Sequence, residues 1–413
     1  MLTRAFPPDL VDQVLLDCGR VEQRSRLLPA RVVVYFVLAM GLFAERGYPD
    51  VARLLAADLA REPWWPHGGQ LPTAAAIGRA RLRLGPEPLR HLFERTCPPP
   101  AARTTADAWF LGRRLVALDG AILDVPDTPP NAAHFGRSLG GAGRTAPRTP
   151  ARAKHAALQE PVSYPQARVS ALVECGTNAT LAADVGPLST HERALAGAIY
   201  PTLTRDMLVL ADRGTTDPAT WHAARAGGAD LLWQVPGNVR LPFTARLADG
   251  SHLAGPSGPT IPTTPAPTAL TALTALAALM ATPTTPTTPA VPIVPAAPGR
   301  EHPCPAQIRV IDYTLDTDRP GARPRRLLTS LLDPAAAPAA DLAARYAQQS
   351  RSGTALDRLT PPQPARTLRS RHPDGIEQEI FALLLLHRAF PGPTGAAPVS
   401  PASPAVQLVS EPH

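Results

Sequence analysis

The sequence predicts an α/β protein in which a helical region precedes a strand-rich one. Apolar residues recur at helical spacing over most of residues 9–97, and from about residue 110 apolar runs of strand length alternate with helical segments. This alternation is typical of a sheet covered by helices. A chain of 413 residues is long enough for two or three structural units.

The predicted helical region contains a long apolar helix and an arginine-rich pair of short helices. The run at 30–44 predicts a buried helix. Arg79, Arg81 and Arg83 come just before the turn at Gly85 and Pro86. A helix, a tight turn and arginines suit a small DNA-binding bundle, but a solvated face of an ordinary helical bundle explains the same pattern equally well.

Two predicted strands carry an aspartate after an apolar run: Asp119 in "RRLVALDGAILDV" and Asp212 in "DMLVLADRG". Carboxylates on two strands of one sheet are the hard oxygen ligands that Mg²⁺ prefers. Phosphoryl transfer commonly uses two such ions about 3.5–4 Å apart, bridged by a carboxylate. Aspartate at a strand end is also a common turn or cap residue, so the residues alone leave both interpretations open.

Three segments lack the periodicity of a packed core. Residues 255–299 are rich in Pro, Thr and Ala and predict a disordered insertion, and the Pro/Ala/Ser-rich tail at 393–413 is expected to be disordered as well. Residues 127–161 predict a loop. Its glycines could bind phosphate through backbone N–H groups, although no strand leads straight into them.

Charge and cysteine content narrow the function classes. The formal charge is +7 and Lys154 is the only lysine, which reflects either a GC-rich genome or recognition of a polyanion, since arginine suits phosphate. The four cysteines form no C-x-x-C pair, so neither a zinc knuckle nor a redox motif is indicated, and reduced thiols in the cytoplasm are expected.

Further classes lack their motifs. The N-terminus has no signal-peptide pattern, and the longest apolar run is too short to span a bilayer, so no membrane partner is expected. Lys154 is followed by His155 rather than Ser or Thr, which excludes a P-loop. No G-x-S-x-G is present, so a serine hydrolase of that type is not indicated.

A series of motifs taken together resembles the IS4 family of bacterial insertion-sequence transposases. In chain order these are "LDGAILDVPDTPPN", "FGR", "YPQARVSALVECGTNA", "MLVLADRG", "GADLLWQV", "LADGSHLAG", "TSLLDP" and "LRSRHPDGIEQEIFALLLLHRA". The N-terminal stretch from "FPPDLVDQ" to "YPDVARLL" is similar to the family's helical N-terminal domain. The resemblance covers most of the chain outside 255–299 and the tail.

The resemblance implies a domain organisation and a cofactor. It implies a helical N-terminal, DNA-binding transposase domain at 1–98 and an RNase H-like catalytic domain at 110–254 and 300–392. The catalytic domain of the family carries three acids, the DDE triad, which bind two Mg²⁺ ions. Asp119 matches the first acid and Asp212 the second.

The third acid is missing from its expected place. The family pattern Y-x2-R-x3-E-x6-K corresponds here to "YAQQSRSGTALDRLT", in which Tyr346 matches but Gln349, Gly353 and Thr360 replace Arg, Glu and Lys. Glycine supplies no metal ligand, so the resemblance predicts an impaired catalyst. Asp357 lies one helical turn from Gly353; the family often has an acid there too, which favours an ordinary surface residue.

The resemblance therefore implies a DNA transposase that binds transposon ends and catalyses metal-dependent cleavage and strand transfer. Its expected partners are double-stranded DNA (terminal repeats and target) and a second copy of the chain in the DNA complex, at the nucleoid. Tyr346, Arg79, Arg81 and Arg83 are the expected DNA contacts. The alternative is a non-catalytic DNA-binding relic that occupies inverted repeats.

Overall fold

The structure is a computed structural model that describes residues 1–21, 28–59, 62, 71–137, 164–212, 217–239, 241–255, 307–316, 318, 323–352, 368–390 and 406–409. Nearly all of the predicted insertion at 255–299, most of the predicted loop at 127–161, and the positions of Gly353, Asp357 and Thr360 lie outside these residues.

Eleven helices are named here from the described part of the chain: α1 (Leu2–Ala5), α2 (Pro8–Asp17), α3 (Ala30–Leu42), α4 (Tyr48–Leu59), α5 (Ala74–Leu84), α6 (Glu87–Arg95), α7 (Pro129–Phe135), α8 (Glu192–Ile199), α9 (Pro218–Arg225), α10 (Ala339–Ser352) and α11 (Pro373–Ala389). The strands are β1 (Trp109–Phe110), β2 (Arg113–Asp124), β3 (Gln166–Glu174), β4 (Thr180–Pro187), β5 (Met207–Ala211), β6 (Asp230–Val235), β7 (Phe243–Arg246), β8 (His252–Ala254), β9 (Ile308–Leu315), β10 (Arg325–Thr329) and β11 (Val406–Leu408). The predicted mixed α/β architecture, with a helical N-terminal region, is confirmed.

One large mixed sheet organises the strands. Their order is β4-β3-β2-β5-β6-β10-β9-β8-β7, with β1 paired to β2 and β11 to β9. Strands β2, β3 and β4 are antiparallel, whereas β2, β5 and β6 are parallel. Parallel neighbours need a crossover connection, which α9 provides between β5 and β6.

Helices cover both faces of this sheet. Helix α9 and the end of α8 pack on one face, where Trp221 and Trp233 meet edge to face with ring centroids 5.1 Å apart. Helix α10 packs on the opposite face, called here the α10 face, over a core that includes Leu210 and Tyr313. Within the described ranges, no helix combines the length and apolar character needed to cross a membrane.

The helical region shares a hydrophobic core with the sheet. Helices α2 to α6 bury their apolar sides in a cluster that also contains residues of the sheet. These are Leu123 of β2, Val125 just after β2, and Val169 of β3. Helix α11 belongs to the same cluster and packs on α3, α5 and α6. Helix α11, from the C-terminal part of the predicted catalytic domain, therefore shares one core with the helices before residue 98.

A buried arginine links α5 to α11. The Arg81 side chain is only 3 % exposed and pairs with Glu379 at 2.9 Å. Its guanidinium also donates to the Gln378 amide oxygen at 3.0 Å, the Gly375 carbonyl at 2.8 Å and the Tyr48 hydroxyl at 2.6 Å. These bonds are internal, so Arg81 is a structural cation and its predicted role as a DNA contact is corrected here.

The helical spacing of the three arginines already indicates that Arg81 differs from Arg79 and Arg83 in exposure. Arg79 and Arg83 are four residues apart and share a helix face, and both are exposed. Arg81 lies two residues from each, which turns it to the opposite face, where α11 covers it. The prediction failed because the three arginines were treated as one cluster.

Two segments are more ordered than the sequence predicted. Within the tail at 393–413, residues 406–408 form β11, whose Val406 and Leu408 pack against the α10 core. Within the predicted loop at 127–161, the seven residues of α7 form a helix capped by the Thr128 side chain. In both places apolar side chains bury on the sheet or its covering helices, which composition alone does not reveal.

Replacing Arg81 by Ala should lower the free energy of unfolding by about 3–5 kcal/mol, because Glu379 is left buried without its partner. The measurement is the shift of the urea unfolding midpoint. Arg79→Ala on the same helix is the matched control and should change stability by less than about 0.5 kcal/mol, as an exposed substitution. Equal effects of the two substitutions would contradict the structural role of Arg81.

Candidate functional site

Asp119 and Asp212 lie side by side on neighbouring strands. In the parallel pairing of β2 with β5, Leu118 and Ala211 are the last Cα partners. The two aspartates are the next residue on each strand. Because paired strands run about 4.8 Å apart, the two residues are neighbours at the point where β5 ends and β2 continues.

Strand alternation places both carboxylates on the α10 face. Ala117 and Leu210 contribute to the core beneath α10, and Asp119 and Asp212 follow each of them by two residues, which returns to the same face. Leu118 and Ala211, in between, pack toward the other face. Helix α10 therefore approaches the sheet on the side where the aspartates project.

Asp119 lies between two helical layers on this face. Before Asp119 in the chain, Leu115 and Ala117 lie in the core beneath α10. After Asp119, Leu123 and Val125 lie in the core of the helical region. Asp119 falls at the seam between the two layers and is partly exposed.

The backbone at Asp119 is held by a local bond and a close approach. The Asp119 carboxylate accepts from the Gly120 amide at 2.8 Å. A Cβ at residue 120 would lie 3.0 Å from the Glu192 carboxylate of α8, on the other face of the sheet. Glycine at 120 therefore lets α8 approach β2 directly behind the aspartate.

Tyr346 of α10 anchors the end of β5. Its side chain is 3 % exposed, and its hydroxyl donates to the Ala211 carbonyl at 2.9 Å, immediately before Asp212. Burial raises the pKa of Tyr346, and the nearby Asp212 charge raises this pKa further. This geometry gives Tyr346 a positioning role for the backbone next to Asp212, and its role as a DNA contact stays a prediction.

Helix α10 is also tied to the segment before β2, a contact that sequence reasoning missed. The Arg345 guanidinium pairs with the Asp107 carboxylate at 2.5 Å and donates to the Asp107 carbonyl at 2.6 Å. Asp107 has a left-handed backbone, with φ of 62°, a conformation that aspartate tolerates better than most residues. Since 238 residues separate the partners, no local pattern could have indicated the pair.

Where they are described, the other predicted site residues belong to the helical region rather than to β2 or β5. Gly353, at the third-acid position, lies beyond the described part of α10. In the residues that are described, no group of three or more His, Cys, Asp or Glu side chains is arranged to hold a metal ion. Arg79 and Arg83 are exposed on α5, which packs against α3, α4 and α11 rather than on the sheet.

Comparison with known proteins identifies the relatives of this chain. Residues 1–94 match the family described as the insertion element 4 transposase N-terminal region. Transposase InsG for insertion sequence element IS4, from Escherichia coli K12, is 26% identical over 248 residues, which are 60% of this chain and 51% of that protein. The chain is related to the IS4 transposases.

A second relative agrees with the first. Putative transposase InsZ of Escherichia coli K12 is 26% identical over 232 residues, covering 56% of this chain and 69% of that protein. The resemblance of the sequence to the IS4 family is thereby confirmed. The matched segment spans about half the length of the IS4 transposase InsG.

Two solved structures show weaker likeness. The piggyBac transposase synaptic complex with hairpin DNA aligns with 94% of this chain and 73% of that chain at 10% identity and a TM-score of 0.41. A pre-cleavage Mos1 transpososome aligns with 55% of this chain and 58% of that chain, with a TM-score of 0.18. These TM-scores are too low to establish a fold shared with either structure.

Replacing Tyr346 by Phe should lower the free energy of unfolding by about 0.5–1.5 kcal/mol, because the hydrogen bond to the Ala211 carbonyl is lost. Thermal or urea unfolding measures the change. Tyr313→Phe is the matched control: Tyr313 lies in the same core, and its buried hydroxyl has no partner among the residues described. That substitution should be neutral or stabilising, and a loss as large as that of Tyr346→Phe would contradict the anchoring role.

Proposed function

We propose that the chain is an insertion-sequence DNA transposase that cleaves and joins DNA with divalent metal, and that its catalysis is impaired. The observation that carries this is the pair of carboxylates on neighbouring parallel strands, with Asp119 within β2 and Asp212 just after β5. The relationship to the IS4 transposases supports the reaction class. The matched segment spans only about half of InsG, so the activity of the whole protein is part of this proposal.

The proposed catalytic domain is RNase H-like. Supporting this are the family resemblance and a sheet in which three antiparallel strands, β4, β3 and β2, are extended by the parallel β5 and β6. The acids stand at the junction of the antiparallel and parallel parts. Asp212 follows the carboxyl end of β5, and strand ends at such a change of direction are a common location for binding sites in open sheets.

The residues fit a hard divalent cation in donor chemistry but make an incomplete set. Asp119 and Asp212 would hold Mg²⁺ through carboxylate oxygens, the ligands it prefers. When bound, Mg²⁺ would activate a water or 3′-hydroxyl and stabilise the leaving oxygen of the phosphodiester. The chain's own contribution is to hold the two carboxylates in register, with Tyr346 fixing the backbone next to Asp212.

Impairment follows from the third-acid position. Gly353 offers no carboxylate, and Gln349 and Thr360 replace the arginine and lysine expected beside it. The protein would therefore lack one metal ligand, and a bound DNA end would lack two cationic contacts to its phosphates. Loss of such groups removes transition-state stabilisation of several kcal/mol, about 10²–10³-fold or more in rate.

Gly353→Glu should raise end cleavage and strand transfer by the purified chain, because it restores the missing carboxylate. The assay uses Mg²⁺ or Mn²⁺ and DNA carrying the element's terminal sequences. Gly353→Gln is the control of matched size and should leave activity negligible. Robust cleavage by the unaltered chain would show that the third acid has been misassigned, whereas the same cleavage in Asp212→Asn would remove the basis for the metal site.

The second candidate function is DNA binding without catalysis at the element's inverted repeats. It is favoured by Gly353 together with the exposed Arg79 and Arg83 on α5. Binding of this kind depends on phosphate contacts and weakens as salt increases, because counterions are released. The two candidates share the DNA ligand and differ in turnover.

Arg79→Ala and Arg83→Ala should each weaken binding to terminal-repeat DNA and reduce the slope of log affinity against log salt by about 1. Gel shifts over a salt series measure both quantities. Arg205→Ala is the control, since Arg205 is exposed just before β5, at the sheet edge opposite Asp212. If the chain binds random DNA as tightly as the repeats, the second function loses its support.

A further inference from the structure

A cluster of hydrogen bonds centred on the partly buried Asp249 holds the beginning of α10. Asp249 lies in the turn between β7 and β8, far from α10 in sequence. Its Oδ2 atom accepts from the amide of Ala339, the first residue of α10, at 2.8 Å. Its Oδ1 atom accepts from the Ser251 amide at 3.2 Å and the Ser251 hydroxyl at 2.6 Å. A hairpin turn therefore caps the helix.

Arg309 of β9 is the cationic member of the same cluster. It is fully buried and forms an ion pair with the Asp249 carboxylate. Its guanidinium donates to the Leu331 carbonyl at 3.1 Å, the Ala337 carbonyl at 2.7 Å and the Ser251 hydroxyl at 2.8 Å. Arg309 thus binds both ends of the connection between β10 and α10, and the hairpin turn as well.

The electrostatics agree with a charged, well-held carboxylate. Burial alone would raise the pKa of Asp249, but the Ser251 and Ala339 hydrogen bonds and the Arg309 charge together lower it below its ordinary value. An anionic group at a helix N-terminus is also favoured by the helix dipole. Asp249 therefore stays ionised at neutral pH and fixes the first turn of α10 through both charge and hydrogen bonding.

This anchor is connected to the candidate site through α10 itself. Tyr346 comes seven residues after Ala339, about 10 Å along the helix axis at 1.5 Å per residue. Ala343 and Ala347 pack on the sheet between and beside these points, and the Tyr346 hydroxyl reaches the Ala211 carbonyl. A shift of the first helical turn would therefore move the group that holds the backbone before Asp212.

We propose that Asp249 is a positioning residue of the carboxylate pair: it sets the placement of α10, and through Tyr346 that of Asp212. This inference rests on the proposed metal-dependent function. Asp249 contacts neither aspartate in the described structure, so its effect is transmitted by the helix. Groups that orient metal ligands typically change metal affinity by 10–100-fold when mutated.

The sheet offers a matched control for this role. Asp312 and Arg326 form a second buried ion pair, joined by two hydrogen bonds of 2.7 and 2.8 Å. Asp312 is on β9, three residues from Arg309, and so projects to the face opposite α10. Breaking this pair disrupts a buried ion pair of the same sheet without touching the α10 N-terminus.

The experiment measures Mn²⁺ binding to the full chain by electron paramagnetic resonance. Asp249→Asn and Tyr346→Phe should each weaken Mn²⁺ binding by about 10-fold, and the double variant should be little weaker than either one, because both act through α10. Asp312→Asn should bind Mn²⁺ as the unaltered chain does. Normal binding by a folded Asp249→Asn variant, multiplication of the two effects, or an equal loss in Asp312→Asn would overturn the proposal.

A second measurement separates failure of the metal site from failure of this inference. If the unaltered chain does not bind Mn²⁺, or if Asp212→Asn binds it equally well, the proposed metal function fails. Hydrogen exchange of the metal-free protein then decides the role of Asp249. Asp249→Asn should speed exchange both in residues 339–350 and in residues 207–212, whereas an increase confined to residues 339–342 would show that the cap does not reach the site.

Discussion

The parallel pairing of β2 with β5 is the constraint on which the rest of the candidate site depends. It puts residues 119 and 212 in register, although 93 positions separate them in the sequence. A slip of one residue on either strand would turn one aspartate to the face covered by α8 and α9. The apolar residues before each aspartate prevent such a slip, because Val116 and Val209 bury on one face while Ala117 and Leu210 bury on the other.

The second structural feature is the meeting of two helical layers on the α10 face. The helical region, with α11, covers one end of β2, and α10 covers the other. Had a single layer covered the strand, Asp119 would lie under a helix and carry the cost of burying a charge. The seam leaves the carboxylate partly exposed while its neighbours stay packed. The proposed binding of a metal ion and DNA by this acid would require this combination of a rigid backbone and an open side chain.

Buried arginines perform much of the long-range bonding in this chain. Arg81, Arg114, Arg309 and Arg326 are each at most 6 % exposed and each pairs with an acid. A guanidinium carries five donors in a planar fork and can satisfy several carbonyls along with its carboxylate. Three of these pairs join segments at least 60 residues apart in the sequence, and the Arg326–Asp312 pair joins the neighbouring strands β9 and β10. Part of the positive composition therefore serves internal ion pairs, and net charge does not separate these arginines from ones available to a partner.

The sequence by itself determined several helices and strands and the positions of the two aspartates along the chain. The apolar periods of α3 and α11 and the strand patterns around Asp119 and Asp212 were readable because propensity and burial act over a few residues. The IS4 resemblance could likewise be read from motifs in order. The α7 helix and β11 were missed because their stability comes from packing on distant strands.

Only the tertiary structure decided which polar residues face inward. Arg81 is buried while Arg79 and Arg83 are exposed, Tyr346 bonds to the backbone beside Asp212, and Asp249 caps a helix 90 residues away. Each of these contacts pairs groups that are far apart along the chain. Their energies depend on desolvation and three-dimensional geometry, for which a linear sequence contains no local signal.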